Sequence, residues 1–146
     1  LVGVPVGLLA AWVMHQLMLL VSLQRDVPVD MVKALGSLMT GNDANAEKVG
    51  RLIHLMSGAL FAIVYLALWH EWQLTQLHQT VYLGLGFGFV HGLLSSYALM
   101  MFVAERHPLE DYRNATLSVG FIHLLGHLVF GLLVGALGGV AIRLFG

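Results

Sequence analysis

Four long apolar stretches of this chain carry small residues at four-residue spacing, and in three of them the series runs on into histidine. The first reads Gly3, Gly7, Ala11, His15 and the second His54, Gly58, Ala62. The third reads Gly84, Gly88, Gly92, Ser96 with His91 alongside, and the fourth reads His123, His127, Gly131, Gly135, Gly139. Residues four apart share one face of a helix. Each stretch therefore predicts a helix with a groove of missing side chains at one end and an imidazole or hydroxyl at the other. Small-xxx-small faces allow close helix approach where lipid supplies no hydrophobic drive.

A membrane span needs about 20 mostly apolar residues. Residues 1–23, 52–69, 81–104 and 117–142 qualify, and none of these segments contains Asp, Glu, Lys or Arg. Only 10% of the 146 residues are charged, against about 25% in soluble domains, too few to cover a globular surface. The stretch opening at Leu1 is too long for a signal-peptide core and lacks a basic leader, so a span is expected there. The expected fold is all-α: a single integral-membrane domain, 1–146, built as a four-helix bundle.

Arg25, Lys33, Lys48 and Arg51 fall in the first connector and Arg106 and Arg113 in the third, leaving only Arg143 elsewhere. The positive-inside rule then puts the first and third connectors in the cytoplasm and both termini outside. Within the first connector, Pro28 and Asp30 read as a helix start and Gly41 as a stop. Met31, Val32, Leu35, Leu38 and Met39 recur between them at helical spacing, which predicts a short amphipathic helix at the interface or packed under the bundle. Pro108, Glu110 and Asp111 predict a second helix start, and Trp69 and Trp72 an outer aromatic belt. The sequon Asn114-Ala115-Thr116 is discounted on the cytoplasmic side. His54-x-x-x-Gly58 and His127-x-x-x-Gly131, with Leu17-Met18 and Leu99-Met100, suggest a duplicated helical hairpin.

On this orientation the small residues of all four helices fall toward the outer leaflet. At about 1.5 Å of rise per residue, His15, His91 and His127 lie near mid-membrane, with His54 and His123 nearer the cytoplasm. Gln16, Ser57, Ser95, Ser96 and Tyr97 are candidates for the same interior, because polar groups facing lipid are costly. The simplest reading of each imidazole is a neutral ring hydrogen-bonded to a neighbouring helix. A second makes His15, His54, His91, His123 and His127 cofactor ligands, with b-type haem held by His54 and His123 or by His15 and His127. A third is a copper, zinc or nickel site on His123 and His127, with Met14, Met18, Met56 or Met100 as soft ligands for Cu(I). A histidine-lined proton or ion path is a fourth, opposed by the tight outer half.

The absence of cysteine excludes disulfides, thiolate metal sites and covalent c-type haem. A net charge of −1 gives no case for nucleic acid. No carboxylate in the spans means little support for magnesium, calcium or catalysis. His107, Glu105, Glu110 and Asp111 read as a solvated loop, and His70 and His78 as an exposed connector.

With His54, Gly58, His127, Gly131 and the Leu17-Met18 helix end, the chain resembles small bacterial inner-membrane proteins of uncharacterised function with four predicted helices. The resemblance implies four spans and a bacterial inner membrane, and no activity. The leading expectation is a non-catalytic accessory subunit in the bilayer, docking other membrane subunits of a respiratory or electron-transfer complex. It rests on the faces of Gly3, Gly7, Gly58, Gly84, Gly88, Gly92, Gly131, Gly135 and Gly139, which look more extensive than four helices need for one another. A haem-, copper- or zinc-binding protein is the rival, and an ion or metal transporter the third reading.

Overall fold

A computed structural model of the chain describes residues 2–25, 30–113 and 116–145. Every regular element among them is helical: α1 (Gly3–Arg25), α2 (Met31–Thr40), α3 (Ala46–Glu71), α4 (Leu77–Leu93), α5 (Met100–Arg106) and α6 (Leu117–Phe145). A π-helical stretch, Leu94–Leu99, joins α4 to α5, and one 3₁₀ turn, Glu110–Tyr112, precedes α6. Four rods (α1, α3, α4 with α5, and α6) are long and apolar enough to cross a membrane. They coincide with the four segments expected, and α3 starts earlier, at Ala46. Its first turns are charged but helix-favouring, with Glu47 and Arg51 paired one turn apart.

The glycine ladders seam the rods in pairs. At the α1–α3 crossing, a Cβ added to Gly7 would fall 2.6 Å from Ala59 Cα, and one on Gly58 2.5 Å from Ala11 Cβ. At the α4–α6 crossing, a Cβ on Gly88 would fall 2.5 Å from the His127 carbonyl oxygen, and one on Gly131 would land on that of Gly84. Gly135 and Gly139 accept Thr80 in the same way. All nine ladder glycines are buried against this chain's own helices. The surplus glycine face expected for a partner is therefore not there. Lipid-side helix contacts depend on close approach, and these four helices use every one of those notches on each other. The two hairpins are not equivalent, since α1 packs broadly on α6 while α3 and α4 touch little.

Trp69 departs from the belt position assigned to it. It is fully buried and stacks parallel to Phe87, while Trp72 is half exposed. The reason is periodicity: Gly58, Ala62, Tyr65 and Trp69 form one buried stripe on α3, so Trp69 continues the seam inward.

α2 begins and ends where expected. Asp30 caps it through Oδ1, accepting from the Val32 and Lys33 amides at 3.0 and 3.1 Å, and Gly41 ends it at φ 70°. Pro28 lies outside the described residues, as do Asn114 and Ala115 of the sequon. The buried face of α2 (Val32, Ala34, Gly36, Ser37) packs against α3. Gly36 and Gly50 meet so closely that a Cβ on either would overlap the other helix's backbone. Asp30→Ala removes the only side-chain cap of α2 among the described residues and is expected to destabilise that helix by about 1 kcal/mol. Hydrogen exchange confined to residues 31–36 is the measurement; unchanged exchange there contradicts the cap's role.

The third connector holds two further corrections. The helix expected after Pro108 is the single 3₁₀ turn. His107, expected in solvent, is 1% exposed. Its Nε2–H donates to the Ala34 carbonyl at 2.9 Å, its Nδ1 accepts from the Leu109 amide at 3.0 Å, and Arg113 Nε donates to its carbonyl at 2.8 Å. A histidine flanked by charged residues reads as loop, yet here it stitches the connector to the underside of α2.

Candidate functional site: a histidine chamber

Just beyond the glycine seams the helices diverge around a cavity of about 180 Å³. Its polar wall consists of His54 and Ser57 from α3, His91 from α4, Ser95 from the π-helical stretch, and His123 and His127 from α6. Val32 and Leu35 of α2 contribute a floor, and Phe61 and Phe130 add aromatic lining. The convergence follows from spacing. His54 stands one turn before Gly58 and His127 one turn before Gly131, on the faces that the seams bring together. Gly92 makes room for the His127 ring, because a Cβ there would fall 2.6 Å from that of His127.

Four of the five singled-out histidines thus share one cavity. The fifth, His15, is buried behind them, its ring 5.9 Å from that of His54. Ser96 is buried without a hydrogen-bond partner among the described residues, as are Nε2 of His123 and Nε1 of Trp69. Gln16 and Tyr97 are half-buried and not in the wall. Met14 is in the wall, Met18 packs on Gly126, and Met56 is exposed, which leaves Met14 as the thioether of that group facing the cavity. The Met100 side chain lies outside the described residues.

Hydrogen bonds fix two of the tautomers. His54 Nε2–H donates to the Ala11 carbonyl at 3.1 Å, leaving its lone pair on Nδ1. His127 Nδ1–H donates to the His123 carbonyl at 2.8 Å, leaving its lone pair on Nε2. His91 Nδ1 shares a 3.3 Å hydrogen bond with the Tyr65 hydroxyl, and Phe61 stacks on the same ring at 3.8 Å. Tyr65 and Phe61 were not anticipated. Both lie on the His54–Gly58 side of α3, at the spacing that could have found them.

The close ring pairs differ from the haem pairs expected. They are His91 with His127 at 4.8 Å, His15 with His54 at 5.9 Å, and His123 with His127 at 6.1 Å. At about 180 Å³ the cavity falls below the ~300–1,000 Å³ that holds drug-sized ligands, and neither expected haem pair is among the close ring pairs. No group of three or more His, Asp or Glu side chains among the described residues is arranged around one ion. Among the described residues no charged side chain lines the chamber. Below α2, Lys33 pairs with Asp43 at 3.3 Å, a contact that raises the lysine pKa, and burial raises that of the Tyr112 phenol beside them. His70 and His78 are exposed, as expected.

Fold and site together define a class: an all-helical protein, over its described residues, with four helices fit to cross a membrane and a small imidazole-lined cavity among them. No protein-family model, curated protein or solved structure matches the chain.

Proposed function

We propose that this is a multi-pass protein of a bacterial inner membrane, both termini outside, which binds a small cation in its histidine chamber and performs no catalysis of its own. The observation that carries this reading is the meeting of imidazoles from α3, α4 and α6 at one cavity, with His54 and His127 each anchored through one nitrogen and left with a lone pair on the other. Anchoring one ring nitrogen to a carbonyl is how proteins orient histidine ligands. At about 180 Å³ the cavity has room for an ion among its side chains. The rival reading, docking to a larger complex through glycine faces, loses its motive because those faces are occupied within the chain. Conduction across the bilayer is disfavoured by the glycine seams and aromatic core that close the far end.

The test is metal content. Protein in lipid nanodiscs, equilibrated with copper, zinc and nickel salts and then desalted, is expected to retain about one ion per chain. The variant His54→Gln/His91→Gln/His127→Gln is expected to retain none. Equal retention by both proteins, or by neither, defeats the proposal.

A further inference from the structure

Resting on that reading, we infer that the ion is monovalent copper, held chiefly between His91 and His127 with Met14 beside them. Three observations lead there. The first is the pair itself: the two rings stand edge to face with centroids 4.8 Å apart, on facing helices whose approach is fixed by Gly88 and Gly92. Two imidazoles at that separation reach one ion at the usual metal–nitrogen distance of about 2 Å with only side-chain adjustment. His127 already holds its Nδ1–H on a carbonyl, and His91 has the Tyr65 hydroxyl at its Nδ1, so both rings can present Nε2.

The second is Nε2 of His123, buried in the same wall one turn from His127 and without a hydrogen-bond partner among the described residues. A buried polar atom without a hydrogen bond costs about 1–3 kcal/mol, and a cation in the cavity would relieve that cost. The third is the chemistry of the wall. Among the described residues it contains no carboxylate and no thiol, only imidazoles, two serines, the thioethers of Met14, which is buried, and Met31, and hydrocarbon. Solvation cost grows with the square of the charge, so a divalent ion without an anionic ligand is far harder to hold in such a site than a monovalent one. Thioether with imidazole is a donor set that selects Cu(I). Cu(I) is also satisfied by two or three ligands, which suits a wall where no three acidic or imidazole groups surround one point.

Anaerobic titration of the nanodisc-embedded protein against a chromophoric Cu(I) chelator tests this, with a parallel Zn(II) titration. One equivalent of Cu(I) is expected. His127→Gln and His91→Gln are each expected to weaken it by on the order of 100-fold, the upper end of what even outer-shell changes produce. Met14→Leu is expected to weaken Cu(I) by about tenfold and leave Zn(II) unchanged, since only the softer ion uses a thioether. Circular dichroism of each variant must match the parent; where His127→Gln misfolds, His91→Gln, at a half-buried position, and the conservative Met14→Leu carry the test. Zn(II) binding that depends on these histidines, without competitive Cu(I) binding, overturns the copper assignment and leaves the chamber reading standing. Cu(I) affinity indifferent to all three substitutions overturns the site. Failure to bind either ion overturns both.

Discussion

Gly131→Ala should be among the most damaging single-methyl additions this chain can receive, and Gly131→Val should prevent assembly of α4 on α6. The added carbon of the alanine falls on the carbonyl oxygen of Gly84, and the Cα of Gly88 lies 2.9 Å from it. These neighbours are backbone. They cannot rotate aside as a side-chain end would, so the two helices must separate or slide. Overpacking ordinarily costs about 1–3 kcal/mol and more where nothing can yield, and at least 3 kcal/mol is expected here. That is a large share of a total stability of about 5–15 kcal/mol. Separation would also pull Gly84 and Gly88 off the seam and misplace His91 relative to His127. The control is Gly86→Ala on the same helix pair, where an added Cβ meets nothing. There the gain in helix propensity, about 0.5–1 kcal/mol, is expected to leave stability equal or raised. Unfolding in mixed micelles followed by circular dichroism separates the cases. Equal stability of Gly131→Ala and Gly86→Ala would mean that the close α4–α6 approach is wrong.

Those ladders are also why much of the architecture is legible in the sequence. An absent side chain repeated every fourth residue has few explanations in an apolar segment other than helix contact, and Gly7, Gly58, Gly88 and Gly131 all serve it. Histidines in register with the ladder had to emerge where the contact ends, which is why His54 and His127 share a cavity with His91 and His123. Asp30 and Gly41 were legible because capping chemistry is local. What escaped the sequence reading depends on partners distant along the chain. His107 sits among charged neighbours, and its burial is decided by the Ala34 carbonyl of a helix more than seventy residues earlier. Gly36 and Gly50 belong to no ladder; each is one notch, meaningful only once the other stands opposite. Trp69 has the composition of a belt residue, and only its place on the Gly58–Ala62–Tyr65 stripe turns it inward. The surplus of glycine assigned to a partner was an error of counting, because four helices with two long seams consume more small residues than the ladders taken singly suggest.

The isolated notch at Gly50 gives the second large effect. In Gly50→Ala the new Cβ overlaps the carbonyl of Val32, and Gly36→Ala creates the mirror conflict with Ala46. α2 keeps its own cap at Asp30 and its Gly41 terminator, so it should stay helical while losing its seat on α3. Leaving that seat costs the hydrogen bond from His107 to Ala34 and the contact with Ser37, and it lifts Val32 and Leu35 away from the chamber. A loss of about 2 kcal/mol corresponds to a roughly 30-fold drop in amide protection across α2 and the 107–112 turn. The seams between α1 and α3 and between α4 and α6 do not involve α2, so protection there should hold. Modification of His54 and His123 by diethyl pyrocarbonate, mapped by mass spectrometry, should rise in the same variant, because the floor between the chamber and the connector side has gone. Uniform loss of protection over all helices would instead make Gly50 part of the global core. Unchanged labelling of His54 and His123 despite a released α2 would mean that this helix does not close the cavity. Local release with faster labelling makes α2 the barrier that any ion must pass on its way to His91 and His127.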